Sequence, residues 1–461
     1  MSTSKVRPVT AFFDAGVLLE MAAHGGMEPT KEDEMRDVRK ILWHFAGALC
    51  LLASAACSNG NESKDAANPD AAAAPDAEPQ TGMMSEAGAA AEAGTCPGVP
   101  VRSGPFTRLT VSNAPIGMGI NDPSVEYSER LGVWLMAYTA VVPSPLYQHI
   151  SLAASNDKGA TWSYLGDVTP VSPAISITTS NLAICGAMTC TGTWGQESAA
   201  LLLDDFDPEP DRRIKVFAHA YYFDYVGDRQ MDIGYLALYT AKDPAGPWTE
   251  TKLFGWPSSS SISNKDVVYD IAADRALGLS DCVIVGEPAP LMRTQGMIDL
   301  ALSCPKGTTD IRLLRSIDHG KTWTFVNTLL TAEDGPKLGS ESNDITGADL
   351  FYANGSYHLI ASPFGTIAGP GGANFSGYHG CVVVSIADMD AGQVARCDGV
   401  PVVEASYLGL PGQFMGACSA AEGLVASGML IPIPDLSLIE SGAELAPNTE
   451  IWQLFGSGTI P

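Results

Sequence analysis

The chain has 461 residues, with 26 basic against 52 acidic side chains and a formal net charge of −26. Such a balance excludes nucleic acid and anionic surfaces as partners and leaves neutral sugars open. Setting aside the first 95 residues, roughly 365 remain, many for one core but well suited to a repeat architecture.

In chain order, residues 1–34 mix charge and Pro and read as an upstream extension, with Met35 as the expected true start. Arg36, Arg39 and Lys40 form a basic stretch, followed by the apolar run Ile41 to Ala56 and then Cys57. That is the pattern of a secretory signal over residues 35–56, and the run is shorter than the ~20 residues a membrane span needs. Ser54-Ala55-Ala56-Cys57 resembles a bacterial lipobox, which implies that Cys57 carries a diacylglycerol and becomes the first mature residue. Ser58 after it resembles the pattern that sorts lipoproteins to the outer membrane or cell surface. Between Cys57 and residue 95, seven acidic residues face only Lys64, and almost nothing can be buried. This segment is expected to be a disordered tether. The membrane is thus expected to be reached through the lipid alone.

From residue 96 on, the pattern is all β. Ser155 to Trp162 and Ser316 to Trp323 both fit S-x-D-x-G-x-T-W, the Asp box, a hairpin turn closed by its own Ser and Asp and pinned by Trp. Asp243-Pro-Ala-Gly-Pro-Trp248 occupies the analogous turn. An acidic or small residue ahead of paired strands recurs five times: Asp122 before Gly132 to Tyr138, Glu197 before Ile214 to Tyr221, Glu287 before Met297 to Ser303, Asp349 before Gly355 to Ser362, and Gly416 to Glu422 before Gly428 to Ile433. Period-two strands with turns between them predict a five-bladed β-propeller over residues 96–461. Glu450 to Phe455 reads as a last strand, and Phe106 to Val111 as the strand that closes the ring.

Of ten Cys, Cys50 leaves with the signal and Cys57 takes lipid. The even remainder in an exported chain reads as disulfides. Proximity suggests Cys185–Cys190, Cys282–Cys304 and Cys381–Cys397, which leaves Cys96–Cys418 to tie the ring shut. No CxxC pair with a partnering His occurs, so no metal site is expected among them.

These residues resemble the five-bladed propellers of family 43 and family 32 glycoside hydrolases over most of residues 105–461, with Asp boxes as in sialidases. The resemblance rests on Asn121-Asp122-Pro123, on Glu287-Pro288 with its following strand, and on the Asp243 turn. It implies hydrolysis of extracellular glycan, by inversion, with Asp122 as base, Glu287 as acid, and Asp349 or Glu197 orienting or tuning them. Sialidase chemistry is disfavoured because no Arg-Ile-Pro opening is present. Trp194, Tyr221, Tyr222 and Phe364 are candidates to stack on sugar rings. His379 is a candidate to face the channel, where the family's likeness also suggests a central calcium; no other cofactor is expected. The alternative is a monomeric surface propeller that binds carbohydrate or a protein without catalysis.

Overall fold

The computed structural model describes residues 106–115, 119–143, 146–169, 172–178, 189–224, 229–255, 266–368, 374–408, 416–421, 428–434 and 449–455. All belong to one compact unit, residues 91–461. The expected signal, Cys57, the tether and the cysteines Cys96 and Cys185 lie outside the described residues. Among the described residues, helix is limited to four three-residue 3-10 turns, and no helix is long and apolar enough to cross a membrane.

The rest is antiparallel sheet in a propeller arrangement. Blade 1 runs outward from Gly119–Ser128 through Val133–Pro143 and Leu146–Ser155 to Trp162–Asp167. Blade 2 runs from Thr189–Leu203 through Ile214–Asp224 and Arg229–Ala241 to Thr249–Gly255. Blade 3 is Gly286–Thr294, Met297–Pro305, Thr309–Ser316 and Thr324–Leu330. Blade 4 starts with Ile345–Ala353, Ser356–Ala368 and Gly380–Asp388, with Val403–Leu408 beyond and Asn374–Tyr378 paired to the far half of its second strand. These four have described side chains through most of their length. A fifth, closing sheet joins Ser419–Ala421, Gly428–Pro434 and Thr449–Phe455 to Phe106–Arg108, whose register places Phe106 opposite Leu454. The ring is therefore closed by strands from both ends of the domain, with the N-terminal segment as the expected closing strand. Just beyond it, Val111–Ser112 pairs with Trp162 and Ser163 at the outer edge of blade 1.

The core is divided among the gaps between sheets. Leu135, Ile150 and Leu152 of blade 1 pack with Leu201, Val216 and Ala237 of blade 2. Leu202, Phe217 and Leu236 of blade 2 meet Leu300, Leu314 and Trp323 of blade 3. Blade 3 meets blade 4 through Ala301, Leu313, Leu359 and Val382. Both faces of each middle strand are thus covered, so Val133–Pro143 and Ile214–Asp224 read as nearly continuous apolar runs, not as alternation. This corrects two expectations: Tyr221 and Tyr222 are completely buried between sheets and have no face to offer a sugar.

Both Asp boxes form as the sequence requires. Ser155 Oγ accepts the Gly159 N–H at 2.7 Å, Asp157 accepts from Thr161 N at 2.9 Å and Thr161 Oγ1 at 2.6 Å, and Trp162 is buried. The second repeats this with Gly320 N to Ser316 Oγ at 2.8 Å and Thr322 N to Asp318 Oδ1 at 2.8 Å. Gly159 and Gly320 stand at φ of 81° and 80°, a conformation that favours Gly. Asp318→Ala removes the acceptor for the Thr322 N–H, Thr322 Oγ1 and Lys321 N–H. Chemical denaturation is expected to give a loss of about 1–2 kcal/mol, and no loss would mean that Trp323 alone secures the turn.

Cys282–Cys304 forms as expected, with Cα atoms 5.1 Å apart. Cys190 and Cys397 are also disulfide-bonded. Cys381, however, bonds Cys418 at a Cα separation of 6.3 Å, which corrects both the Cys381–Cys397 and the Cys96–Cys418 pairings. The bond stitches the third strand of blade 4 to the entry of the closing sheet's inner strand.

Candidate functional site

The inner strand of every sheet is interrupted at one equivalent point. Asp122, Ser198, Glu287, Gly347 and Ala417 have φ of 45°, 60°, 48°, 60° and 50°. In the four blades the pairing register skips there, between Asn121 and Ser124, Glu197 and Ala200, Gly286 and Ala289, and Thr346 and Asp349. A left-handed residue other than Gly costs about 1–3 kcal/mol unless its surroundings hold it. Three of these bulges are held by a side chain of the preceding sheet. Asp122 Oδ2 accepts the Ser198 N–H at 3.0 Å, Glu287 Oε2 accepts the Gly347 N–H at 2.8 Å, and Ser362 Oγ accepts the Ala417 N–H at 2.9 Å. A second row lies two residues further along, where Ser124 Oγ accepts Leu201 N at 2.9 Å and Asp349 Oδ2 accepts Ala420 N at 2.8 Å.

The bulges line one cavity that is open at its mouth. Three of the four expected catalytic carboxyls, Asp122, Glu287 and Asp349, line it, and Lys and Arg are absent from its lining among the described residues. Glu197 stands one residue before the blade 2 bulge, which belongs to Ser198. It is buried and accepts a hydrogen bond from Tyr221 at 3.1 Å, and its charge reaches Asp122. Trp194 packs in the blade 1–blade 2 core and edge-on to Tyr235, away from the cavity lining. Phe364 lies edge-on to Tyr378 at 5.9 Å. His379 sits over Gly365 beside Glu341, outside the cavity lining.

Burial and hydrogen bonding act differently on these carboxyls. Thr139 Oγ1 donates to Asp122 Oδ2 at 3.0 Å. Burial, then the charges of Glu197 and Glu287, push Asp122 up to about 7. Burial also pushes Asp349 up to about 7. Glu287 accepts from Ser303 Oγ at 2.6 Å, from the Gly347 N–H and, through Oε1, from the Tyr378 hydroxyl. Two residues with a claim to the site were missed in the sequence. Glu126, in phase with Ser124 on the blade 1 inner strand, is raised to about 8 by burial and by Asp349. Strand alternation from Asp122 was the available signal. Tyr378 stood next to the residue that the sequence favoured.

These raised acids set a pH dependence of stability. For Asp122, Asp349 and Glu126 the folded state holds protons that the unfolded state has released, from about pH 4 up to pH 7–8. Stability falls as pH rises through that window. Asp157 and Asp334, held down near 2 by their hydrogen-bond donors, withdraw their contribution only below it. Calorimetry is expected to give a higher unfolding midpoint at pH 5 than at pH 8; a midpoint that rises between them would contradict the burial of these acids.

Among the described residues, two clusters have metal-like spacing. In the first, Cys282 and Cys304 are spent on their disulfide beside Asp281. In the second, Asp204, Asp207 and His319 surround the Lys215 ammonium, which supplies the positive charge itself.

No protein-family model matches the chain, and no curated protein matches it. Among solved structures it is similar to an α-L-arabinofuranosidase from Lactobacillus brevis, at 16% identity and a TM-score of 0.42 over 73% of this chain and 90% of that one. A GH43 endo-arabinanase from Bacillus licheniformis matches at 12% identity and a TM-score of 0.42, over 75% and 94%. A sialidase from Streptococcus pneumoniae matches at 11% and 0.41, over 76% and 70%.

Proposed function

We propose that this protein is an exported, lipid-anchored glycoside hydrolase, acting on neutral glycan outside the cell through Asp122 and Glu287. The observation that carries the reading is that these two carboxyls occupy the same bulge in alternate blades, line one cavity, and differ in environment. Glycoside cleavage needs one carboxyl that bears a proton and one that accepts. Asp122, raised to about 7, can bear one at neutral pH, with Oδ1 clear of its bonds to Ser198 and Thr139. Glu287, with three donors on its two oxygens, is arranged as an acceptor. The proposed roles are therefore Asp122 as acid and Glu287 as base, the reverse of the order the sequence suggested. The acidic lining disfavours sugars that carry a carboxylate.

A second reading is a propeller that binds glycan without cleaving it. It is favoured by the same bonds, since Asp122 also joins blade 1 to blade 2 and Glu287 joins blade 3 to blade 4. The test is turnover on a panel of aryl glycosides and polysaccharides, with the product anomer read by NMR. Turnover with inversion supports the hydrolase. Glycan-array binding without turnover supports the second reading.

A further inference from the structure

We propose that Tyr378 is the positioning residue for Glu287, a phenolic donor brought in from blade 4 to fix one carboxylate oxygen of blade 3. The proposal rests on the hydrolase reading for its consequence in turnover but not for its effect on Glu287.

Tyr378 ends the short strand Asn374–Tyr378, an addition to blade 4 that pairs Tyr378 with Phe364. Its hydroxyl donates to Glu287 Oε1, while Ser303 and the Gly347 N–H occupy Oε2. The Glu287 carboxylate is thus gripped on both oxygens from different strands, which fixes its plane as well as its place. A single pair of donors on Oε2 would leave rotation about the last bond open.

The closing sheet makes room for this. Gly416 precedes the Ala417 bulge, and any Cβ there would overlap the Tyr378 Cβ and ring. Gly at 416 is therefore a condition for the Tyr378 side chain to reach Glu287. Phe364 closes the other side of the ring edge-on at 5.9 Å. Burial and the charges of Glu287, Asp122 and Glu197 hold the phenol well above the ordinary tyrosine range, so it remains a donor at neutral pH.

The groups facing Glu287 come from every neighbouring element: the Thr346 hydroxyl through Ser303, the Gly347 N–H, Asp122 across the cavity, Tyr378, and His219 from blade 2 against Gly286. Of these, Tyr378 is the neutral side-chain donor on Oε1, so its removal changes the carboxylate's environment without changing any formal charge.

The experiment is a pH titration of the full-length protein labelled with 13C at glutamate carboxyls, in which the Glu287 resonance is the one lost in Glu287→Gln. Tyr378→Phe is expected to move the midpoint of that resonance upward by about one pH unit, the effect of deleting one hydrogen bond to a charged group. Gly416→Ala, which displaces the ring while keeping the hydroxyl, is expected to move it in the same direction. On any substrate the panel yields, Tyr378→Phe should lower kcat about tenfold with KM within about twofold. An unmoved midpoint in Tyr378→Phe overturns the proposal whether or not the protein turns over a glycan. A moved midpoint with no substrate found upholds it and counts against the hydrolase reading alone.

Discussion

Asp122→Asn and Glu287→Gln are each expected to lower kcat/KM on the hydrolysed glycan by about 10²- to 10⁴-fold, the usual contribution of a positioned acid or base. The two variants should differ in pH dependence. If Asp122 is the acid, wild-type activity falls as pH rises through about 7, where its proton is lost. In Asp122→Asn the residual rate no longer has that limb. Stability separates this from mere disruption. An Asn oxygen still accepts the Ser198 N–H, and it carries no charge to bury. Because the raised pKa of Asp122 works against the folded state at high pH, Asp122→Asn should unfold at a higher temperature than wild type at pH 8. Lost activity with a raised midpoint fits a catalytic acid. Full activity in either variant would retire the assignment, and a collapsed midpoint in both would favour a purely structural bulge contact.

Lys215→Met is expected to reduce the unfolding free energy by about 3–5 kcal/mol in guanidinium denaturation, the cost of removing one partner from a buried ion pair. Lys215 is fully buried on a middle strand of blade 2, with its ammonium 3.1 Å from Asp204, 2.7 Å from Asp207 and 2.5 Å from the Arg212 carbonyl. Both carboxylates are likewise fully buried. Met keeps the length and the packing of the stem but leaves two carboxylates facing each other. His319 Nδ1, 2.8 Å from Asp204, ties this cluster to the second Asp box of blade 3, so the loss should loosen the joint between two blades. A change below about 1 kcal/mol would mean that Arg212 and His319 suffice to neutralise the pair.

What the sequence revealed follows from how far each interaction reaches. An Asp box is complete within eight residues, so Ser155, Asp157, Gly159 and Trp162 carry their whole structure in their spacing. Asp122 and Glu287 were legible because a Pro follows each, and Pro ends the ladder at the bulge. Blade 2 has Ala199 in that position, within a 15-residue strand, and the reading slipped by one, from Ser198 to Glu197. Cys282–Cys304 joins the start and end of one hairpin and could be guessed. Cys381–Cys418 joins successive sheets, and nothing local states how those sheets meet. Tyr221 and Tyr222 were misjudged for the same reason: adjacent residues on a strand point to opposite faces, and here another sheet covers each face. Tyr378 lay hidden because a five-residue strand decides which of two neighbouring side chains turns towards Glu287.

The closure of the ring has a mechanical consequence. Phe106–Arg108 holds to Thr449–Phe455 by only three register pairs, Phe106 with Leu454, Thr107 with Gln453 and Arg108 with Trp452. A pull on the chain ahead of residue 106 meets these rungs first and the two-residue ladder at Val111 and Ser112 next. The deep gaps between blades and the Cys381–Cys418 bond lie beyond that point of loading. The first seam to take load from that side is thus a shallow clasp at the N-terminal edge, and stretching from there would peel the clasp before it strained the carboxyls at the centre.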